Sequence, residues 1–353
     1  MEFIRQTLAQ NFTGGNKTTT DGGFTHEDVP DQSGKVAVIT GGSEGIGYGG
    51  SYTLLARNIS KLYILSVSRE VVDGATEAIK SDLGAEAAEK VKWLQCDMSD
   101  WKRVTEVAKE ISGSTDRIDI LVNNAARGIM TAQLDDHGVD RHMSVSHFGP
   151  VILTSHLLPV LKKTAGSGHT VRISCQSSNL HQQVPSDTKF KNLEEDINKD
   201  VGPNSQYGRA KLANLLYARY LARHLTAKHP KILANATHPG IVKTKMSQED
   251  IHEPFPLGGY GMSVALAPFK KDQFEGALPT LFAVTKTEES GQYICPPAKV
   301  EKGSDLANST QVGEDLMDLT IKILKEKTTN MMVKMMKILK VKMEKKNLMK
   351  MKI

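Results

Sequence analysis

The sequence predicts an α/β fold: a doubly wound parallel sheet with helices on both faces, built as a single domain. Three observations predict it. Short apolar runs rich in β-branched residues alternate with longer stretches of helical periodicity over residues 34–328. The first such run leads directly into a glycine-rich turn. Polar residues collect where the apolar runs end, and this is where such sheets bind their ligands.

Residues 1–33 read as an N-terminal arm, rich in Gly, Thr and Asn over 13–23. Val36 to Ile39 is a short apolar run of the kind that forms a buried strand. Gly41, Gly45 and Gly47 follow in G-x-x-x-G-x-G spacing, and helical sequence continues through Leu54 and Leu55. A strand, a glycine turn and a helix make a phosphate cradle, because glycine lets the backbone approach a pyrophosphate and the helix start offers free N–H groups. This is the Rossmann-type arrangement; a tight turn that binds nothing would look the same over so short a stretch. A second strand, Leu62 to Val67, is followed by Ser68 and Arg69, with no acid before Glu70. An acid here would hold the ribose hydroxyls of NAD, whereas small polar or basic residues suit the 2′-phosphate of NADP, so the cofactor expected is NADP(H) rather than NAD(H).

A third strand, VKWLQCD, ends at Asp97, and a helix is predicted over 101–112. IDILVNNAA forms a fourth strand ending at Asn123 and Asn124, and a long helix is predicted over 137–163. TVRISCQSSNLH is the fifth strand, with Ser177 and Ser178 at its end. From Ser205 to Lys228 runs one amphipathic helix, with Leu212, Leu215, Leu216, Leu221 and Leu225 at helical spacing. The sixth strand lies in ILANATHPGIVKT and ends at Pro239–Gly240. Residues 245–275, rich in Pro, Gly and Met, are predicted to be a lid. QYICPP (292–297) supplies a last strand, and a helix at 311–327 closes the ordered part. Residues 329–353 form a Lys/Met-rich tail without a clear apolar face, predicted to be disordered.

Within the long helix, Tyr207 and Lys211 lie four residues apart, which sets both side chains on one face. An ammonium beside a phenol favours the phenolate and lowers the phenol's pKa from its free value of roughly 10. A tyrosine tuned in this way exchanges a proton near neutral pH. Taken alone, the pair also fits a core tyrosine and a solvated lysine that share a turn.

Composition, at 39% apolar and 24% charged residues, is that of a soluble globular protein. No run of about 18 apolar residues predicts a transmembrane helix, and the N-terminus lacks a charged segment followed by an apolar core, so no secretory signal is expected. Cys96, Cys175 and Cys295 show neither metal nor disulfide spacing, which predicts no metal site and a reducing, cytoplasmic setting. The net charge of +5 is concentrated at one end: residues 331–353 carry eight Lys and one Glu, a net +7, and the other 330 residues sum to −2. The basicity therefore gives no reason to expect a nucleic-acid groove in the body of the protein.

The motifs TGGSEGIG (40–47), NNAA (123–126), Ser178, YGRAK (207–211) and HPGIVKT (238–244) occur in the order seen in the short-chain dehydrogenase/reductase family, which the sequence resembles over about residues 33–300. HLLP at 156–159, QSSNLH at 176–181 and RAKLAN at 209–214 look closest to retinol-dehydrogenase-like and fungal carbonyl-reductase members. The resemblance implies that Tyr207 is the general acid for carbonyl reduction, that Lys211 holds the nicotinamide ribose and depresses the pKa of Tyr207, and that Ser178 hydrogen-bonds the substrate oxygen. It further implies that Gly41, Ser43, Gly45, Ile46 and Gly47 line the pyrophosphate and ribose, that Asp97 meets the adenine amine, and that Asn124 touches the adenosine side while Asn123 braces the sheet. Val242 and Thr244 are implied to contact the carboxamide and phosphate end. Asp97 could also serve as N-cap of the helix from Trp101.

Two departures stand out. Where the family has an Asn that organises a water linking the lysine to solvent, this chain has Ser146, whose hydroxyl reaches less far. The 28 residues between Ser178 and Tyr207 exceed the family's minimal spacing, and their acidic part, NLEEDINKD, is expected to loop over the surface. The reading that follows is an NADP(H)-dependent oxidoreductase reducing a ketone or aldehyde of a small lipophilic metabolite. Its alternatives are oxidation of a secondary or retinol-like alcohol, and a catalytically weak nucleotide-binding regulatory protein. The partners expected are a small-molecule carbonyl or alcohol and a second copy in a homodimer.

Overall fold

The computed structural model describes residues 23–242 and 271–328. Among them, eight strands form one sheet: β1 (Val36–Thr40), β2 (Lys61–Ser66), β3 (Val91–Gln95), β4 (Ile120–Asn123), β5 (Val171–Gln176), β6 (Ile232–Thr237), β7 (Tyr293–Cys295) and β8 (Lys299–Glu301). Their order is β3-β2-β1-β4-β5-β6-β7-β8, parallel throughout except for the antiparallel β7–β8 pair. The order reverses between β1 and β4, so the carboxyl ends of these two strands splay apart and leave a crevice.

Seven longer helices among the described residues cover the sheet: α1 (Gly45–Ala56), α2 (Arg69–Leu83), α3 (Trp101–Ser114), α4 (Gly149–Gly166), α5 (Pro203–Leu221), α6 (Gln273–Thr285) and α7 (Thr310–Lys327). Alternation along β1 shows how the two faces are filled. Val38 joins the cluster packed with Val104 of α3, Leu157 of α4, Leu212 of α5 and Leu316 of α7. Ala37 and Ile39 join the opposite cluster with Leu54 of α1, Ile79 of α2 and Leu281 of α6. Both faces of β1 are therefore dry, which explains its uninterrupted apolar sequence.

The structure corrects several expectations. The stretch predicted as one amphipathic helix is α5 followed by a π-helical turn, Ala222–Thr226. α5 is buried on nearly every side, because it lies between β5, β6 and α7; even Arg209, Lys211 and Asn214 are covered. The helix placed at 137–163 runs from Arg141 to Gly166 through a π turn at Ser144–Phe148. By length and composition this helix could cross a membrane, but it is packed inside the protein as a core helix. The cap of α3 is Asp100, whose side chain accepts from Arg103 N–H (2.9 Å), and not Asp97. The acidic connection before α5 does run along the surface, pinned by the buried Ile197.

α6 was not anticipated. The lid was placed over 245–275, and most of that stretch, like residues 1–22 of the arm and the tail, lies outside the described residues. Where description resumes, Asp272 and Glu275 form a capping box that starts α6. Gly49 lets α6 close on α1, since a Cβ there would stand 2.4 Å from the Gln273 carbonyl oxygen.

Candidate active site

The glycine turn is fixed from both sides of the crevice. Gly41 N–H donates to Leu65 O of β2 (2.7 Å). From the β4 side, Asn124 Nδ2 donates to the carbonyls of Thr40 (3.0 Å) and Gly41 (3.2 Å). The Thr40 hydroxyl in turn accepts the N–H groups of Asn124 (3.0 Å) and Ala125 (2.9 Å). Gly41 and Gly45 adopt φ of +64° and +54°, a region that L side chains avoid. Gly47 answers a different need: a Cβ there would lie 2.0 Å from the Gly41 carbonyl oxygen and 2.7 Å from Asn124 Nδ2. Its bare backbone lets α1 begin against the turn. Glu44, at the N-cap of α1, makes no side-chain cap, and helical bonding starts with Tyr48 N–H to Glu44 O (3.1 Å). The N–H groups of Gly45, Ile46 and Gly47 thus precede the helical ladder and have no partner within it.

A cleft of about 500 Å³ extends from this turn past the ends of β2 and β3 to α5. Of the residues singled out in the sequence, Gly41, Ser43, Gly45, Ile46, Asp97, Asn124, Tyr207 and Lys211 line it. Asp97 keeps one carboxylate oxygen on Ser99, accepting from its N–H (2.8 Å) and hydroxyl (2.7 Å). Asn123 is buried and braces the sheet, donating to Thr154 Oγ1 (3.3 Å). Gly47 lies behind the turn as packing.

Arg69 is not brought into the lining. It opens α2 at the surface, stacked over the Trp93 ring at 4.6 Å and paired with Asp73 at 3.8 Å. Leu65, Ser66 and Val67 form the wall at the end of β2 instead. The Val242 side chain is packed against α6, where a Cβ on Gly276 would meet it at 2.6 Å, and so it does not face the cleft. Thr244 lies outside the described residues.

At the far end of the cleft the two strand-end serines divide their work. The Ser177 hydroxyl donates to the Lys211 carbonyl (2.7 Å) and is thereby used up in holding α5 to β5. Ser178 caps the following turn, accepting from Leu180 N–H (3.3 Å), and also hydrogen-bonds the Tyr207 phenol. Lys211 Nζ donates to the Gln176 carbonyl (3.1 Å) and stands 5.2 Å from the centre of the Tyr207 ring.

Burial dominates the electrostatics here. It brings the Lys211 ammonium down to about 7. It pushes the Tyr207 phenol above its ordinary value, with the Ser178 hydrogen bond acting in the opposite sense. The phenol expected to be depressed is thus raised instead: desolvation, which disfavours the charged form of each group, sets both shifts. Tyr207 remains only partly covered, with its open side to the cleft.

These residues fit a dinucleotide. The turn and the unbonded N–H groups at the start of α1 suit a pyrophosphate, the ends of β2 and β3 an adenosine, and the Tyr207 end a nicotinamide. Sequence reasoning missed Arg127 and Arg141, which also line the cleft. Arg127 directly follows NNAA and could have been noticed on that ground; nothing in the local pattern marks Arg141.

Comparison with known proteins agrees with this geometry. A family profile described as short chain dehydrogenase matches residues 35–186. A Neurospora crassa protein named as oxidoreductase bli-4, mitochondrial, is 57% identical over 93% of this chain and 81% of its own length. A short chain dehydrogenase/reductase, dpchH, of Colletotrichum higginsianum is 30% identical over 86% of this chain and 78% of its own. The crystal structure of an NADPH-bound carbonyl reductase from chicken fatty liver superposes with a TM-score of 0.57 over 77% of this chain and 99% of that one, at 19% identity, a likeness of fold.

The Gly47 contacts give a direct test. Gly47→Ala is expected to lower stability by roughly 1–3 kcal/mol, the usual cost of forcing a methyl into packed backbone. Urea unfolding of wild type and variant measures it; an unchanged midpoint would show that the turn gives way freely.

Proposed function

Because the chain belongs to the short-chain dehydrogenase/reductase family of oxidoreductases, we propose that it reduces a ketone or aldehyde of a small lipophilic molecule with NADPH. The observation that carries this reading is that Tyr207, hydrogen-bonded to Ser178, and Lys211 line the same cleft as the glycine turn, although Ser178 itself is not in the lining. When bound, NADPH supplies a hydride to the carbonyl carbon. The protein's own part is to move a proton and to hold an oxygen. Tyr207, kept protonated by burial, gives its proton to the carbonyl oxygen as charge builds there. The Ser178 hydroxyl donates a hydrogen bond to the same oxygen. The Lys211 ammonium, beside the Tyr207 ring, stabilises the phenolate left behind.

Preference for NADPH rests on the end of β2. Among the described residues the wall at the end of β2 is Leu65, Ser66 and Val67, none of which would repel a 2′-phosphate, and the largely exposed Arg69 is at hand in the first turn of α2. The carbonyl reductase from chicken fatty liver, which shares the fold, was crystallised with NADPH bound, in agreement with this preference.

Compartment is a separate proposal. Three free, buried cysteines favour a thiol-reducing interior such as the cytoplasm, and the Neurospora crassa relative's name supplies the competing location.

Tyr207→Phe is expected to reduce kcat for aldehyde reduction by 10²–10⁴-fold, the typical worth of a general acid, with the NADPH Kd within a few-fold of wild type. Equal activity in the variant would remove Tyr207 from the mechanism. The sign of the pH effect follows from Lys211. It is charged below its lowered pKa, so reductive kcat/KM is expected to fall as pH rises past about 7; a profile flat through that range would separate Lys211 from the proton step. Val67→Asp, at an exposed position on the β2 wall, is expected to weaken NADPH far more than NADH, read by fluorescence titration with each. Fractionation of cells expressing the full chain decides the compartment: recovery with a mitochondrial marker would overturn the cytoplasmic proposal.

A further inference from the structure

Ser178 lies where β5 runs into the 3₁₀ turn Asn179–Gln183, and its own side chain does little to hold it there. Its hydroxyl contacts to Leu180 N–H and Asn179 Oδ1 are both 3.3 Å, long for such bonds. The backbone is held by His181 instead. The Ser178 carbonyl accepts two bonds from this one residue, from its N–H (3.1 Å) and from Nδ1 (2.7 Å). The other ring nitrogen, Nε2, meets Ser304 N–H (3.0 Å), in the connection between β8 and the short helix Asp305–Asn308. A backbone N–H can only donate, so Nε2 is the acceptor and the ring's proton sits on Nδ1, aimed at Ser178. The imidazole is therefore neutral, and its complete burial keeps it so, bringing its pKa down to about 4.

The far end of this bridge is itself fixed. Arg219 of α5 donates to the carbonyls of Lys302 (2.9 Å) and Ala307 (2.7 Å), on either side of Ser304. Gly303 supplies the room: it has φ of +74°, and a Cβ there would stand 3.3 Å from His181 Nε2. The Tyr293 ring of β7 meets the imidazole edge to face, with centroids 5.2 Å apart. On the near side the turn lies against α5. Gly208, the residue after Tyr207, leaves space for the Leu180 carbonyl, which a Cβ there would meet at 2.5 Å. Ser205 Oγ donates to Gln183 O (3.1 Å). The turn is thus clamped between the helix that carries Tyr207 and a C-terminal loop, with His181 as the pin.

We propose that His181 is a positioning residue for the reaction, and that its bridge from Ser304 to the Ser178 carbonyl sets where the Ser178 hydroxyl stands against Tyr207. The inference deepens the reductase reading and rests on it for what that hydroxyl does.

The test uses the full chain with NADPH and, as probes, benzaldehyde and decanal. His181→Phe keeps a ring against Tyr293 and removes both side-chain bonds. It is expected to lower kcat about tenfold, the worth of one hydrogen bond, with the NADPH Kd within twofold of wild type. His181→Asn, whose amide nitrogen can stand where Nδ1 stands, is expected to recover part of that loss. In a Ser178→Ala background, His181→Phe is expected to alter kcat less than twofold, because its effect runs through the hydroxyl. Amide hydrogen exchange gives a reading independent of turnover: His181→Phe is expected to speed exchange over residues 179–183 about tenfold and to leave β1 and α1 unchanged. Should His181→Phe not fold, Gly303→Ala, which presses on Nε2 from outside, takes its place in both measurements with the same expectations. An unchanged kcat, an equal loss with and without the Ser178 hydroxyl, or unchanged exchange in the turn would overturn the proposal. Failure of the reductase reading looks different: wild type then consumes no NADPH with either aldehyde, while exchange in the turn still depends on His181.

Discussion

The hydrogen bond from Lys211 Nζ to the Gln176 carbonyl (3.1 Å) is the constraint on which the site depends. It brings a lysine that is 1% exposed up to the end of β5, and α5 must be buried around it. Asn214 Nδ2 donates to the same carbonyl (2.8 Å), and Ser177 Oγ returns a bond to the Lys211 carbonyl (2.7 Å). Strand and helix are thus tied in both directions over one helical turn. The chain leaving β5 then carries Ser178 to within hydrogen-bonding reach of Tyr207. A lysine buried in this way without a carboxylate is tolerable because its pKa falls to about 7, so the folded protein is not obliged to keep a full charge in the core.

The fold was legible because each strand carries its own signal. Val36–Thr40 is apolar on both faces, and the glycines after it occupy positions that a side chain could not. The pairing of Tyr207 with Lys211 was legible because four-residue spacing on a helix is geometry. What the spacing could not reveal was the sign of the pKa shift. Spacing sets the distance between an amine and a phenol, whereas the dielectric around them is set by β5, β6 and α7, which are remote in sequence. α6 was hidden for another reason. Gly276 and Pro279 interrupt its apolar pattern; its packing on α1 needs the glycine at 49, and the one at 276 makes room for Val242. Poor helix-forming residues were kept there because they permit close approach, so the packing contradicted the propensity.

Arg69 shows the limit of reading a position from strand order alone. Its place just past β2 is where a phosphate-binding cation would be sought, yet its side chain lies over Trp93 at the surface (4.6 Å). The wall it was expected to provide consists of Leu65, Ser66 and Val67. The cleft is lined by both signs of charge, Glu44 and Asp97 together with Arg127 and Arg141.

Ser146 acquires a more limited meaning in this frame. It sits buried in the π turn Ser144–Phe148, where one extra residue per turn alters the aim of every side chain. Its neighbours are occupied: Ser144 accepts from Trp101 Nε1 (3.0 Å) and His147 Nε2 meets Thr320 Oγ1 (2.8 Å). An asparagine amide at 146 would extend further toward the lysine, but Lys211 already has its acceptor on β5. The position of the ammonium is set by the sheet, so a serine at 146 leaves Lys211 and Tyr207 where they are.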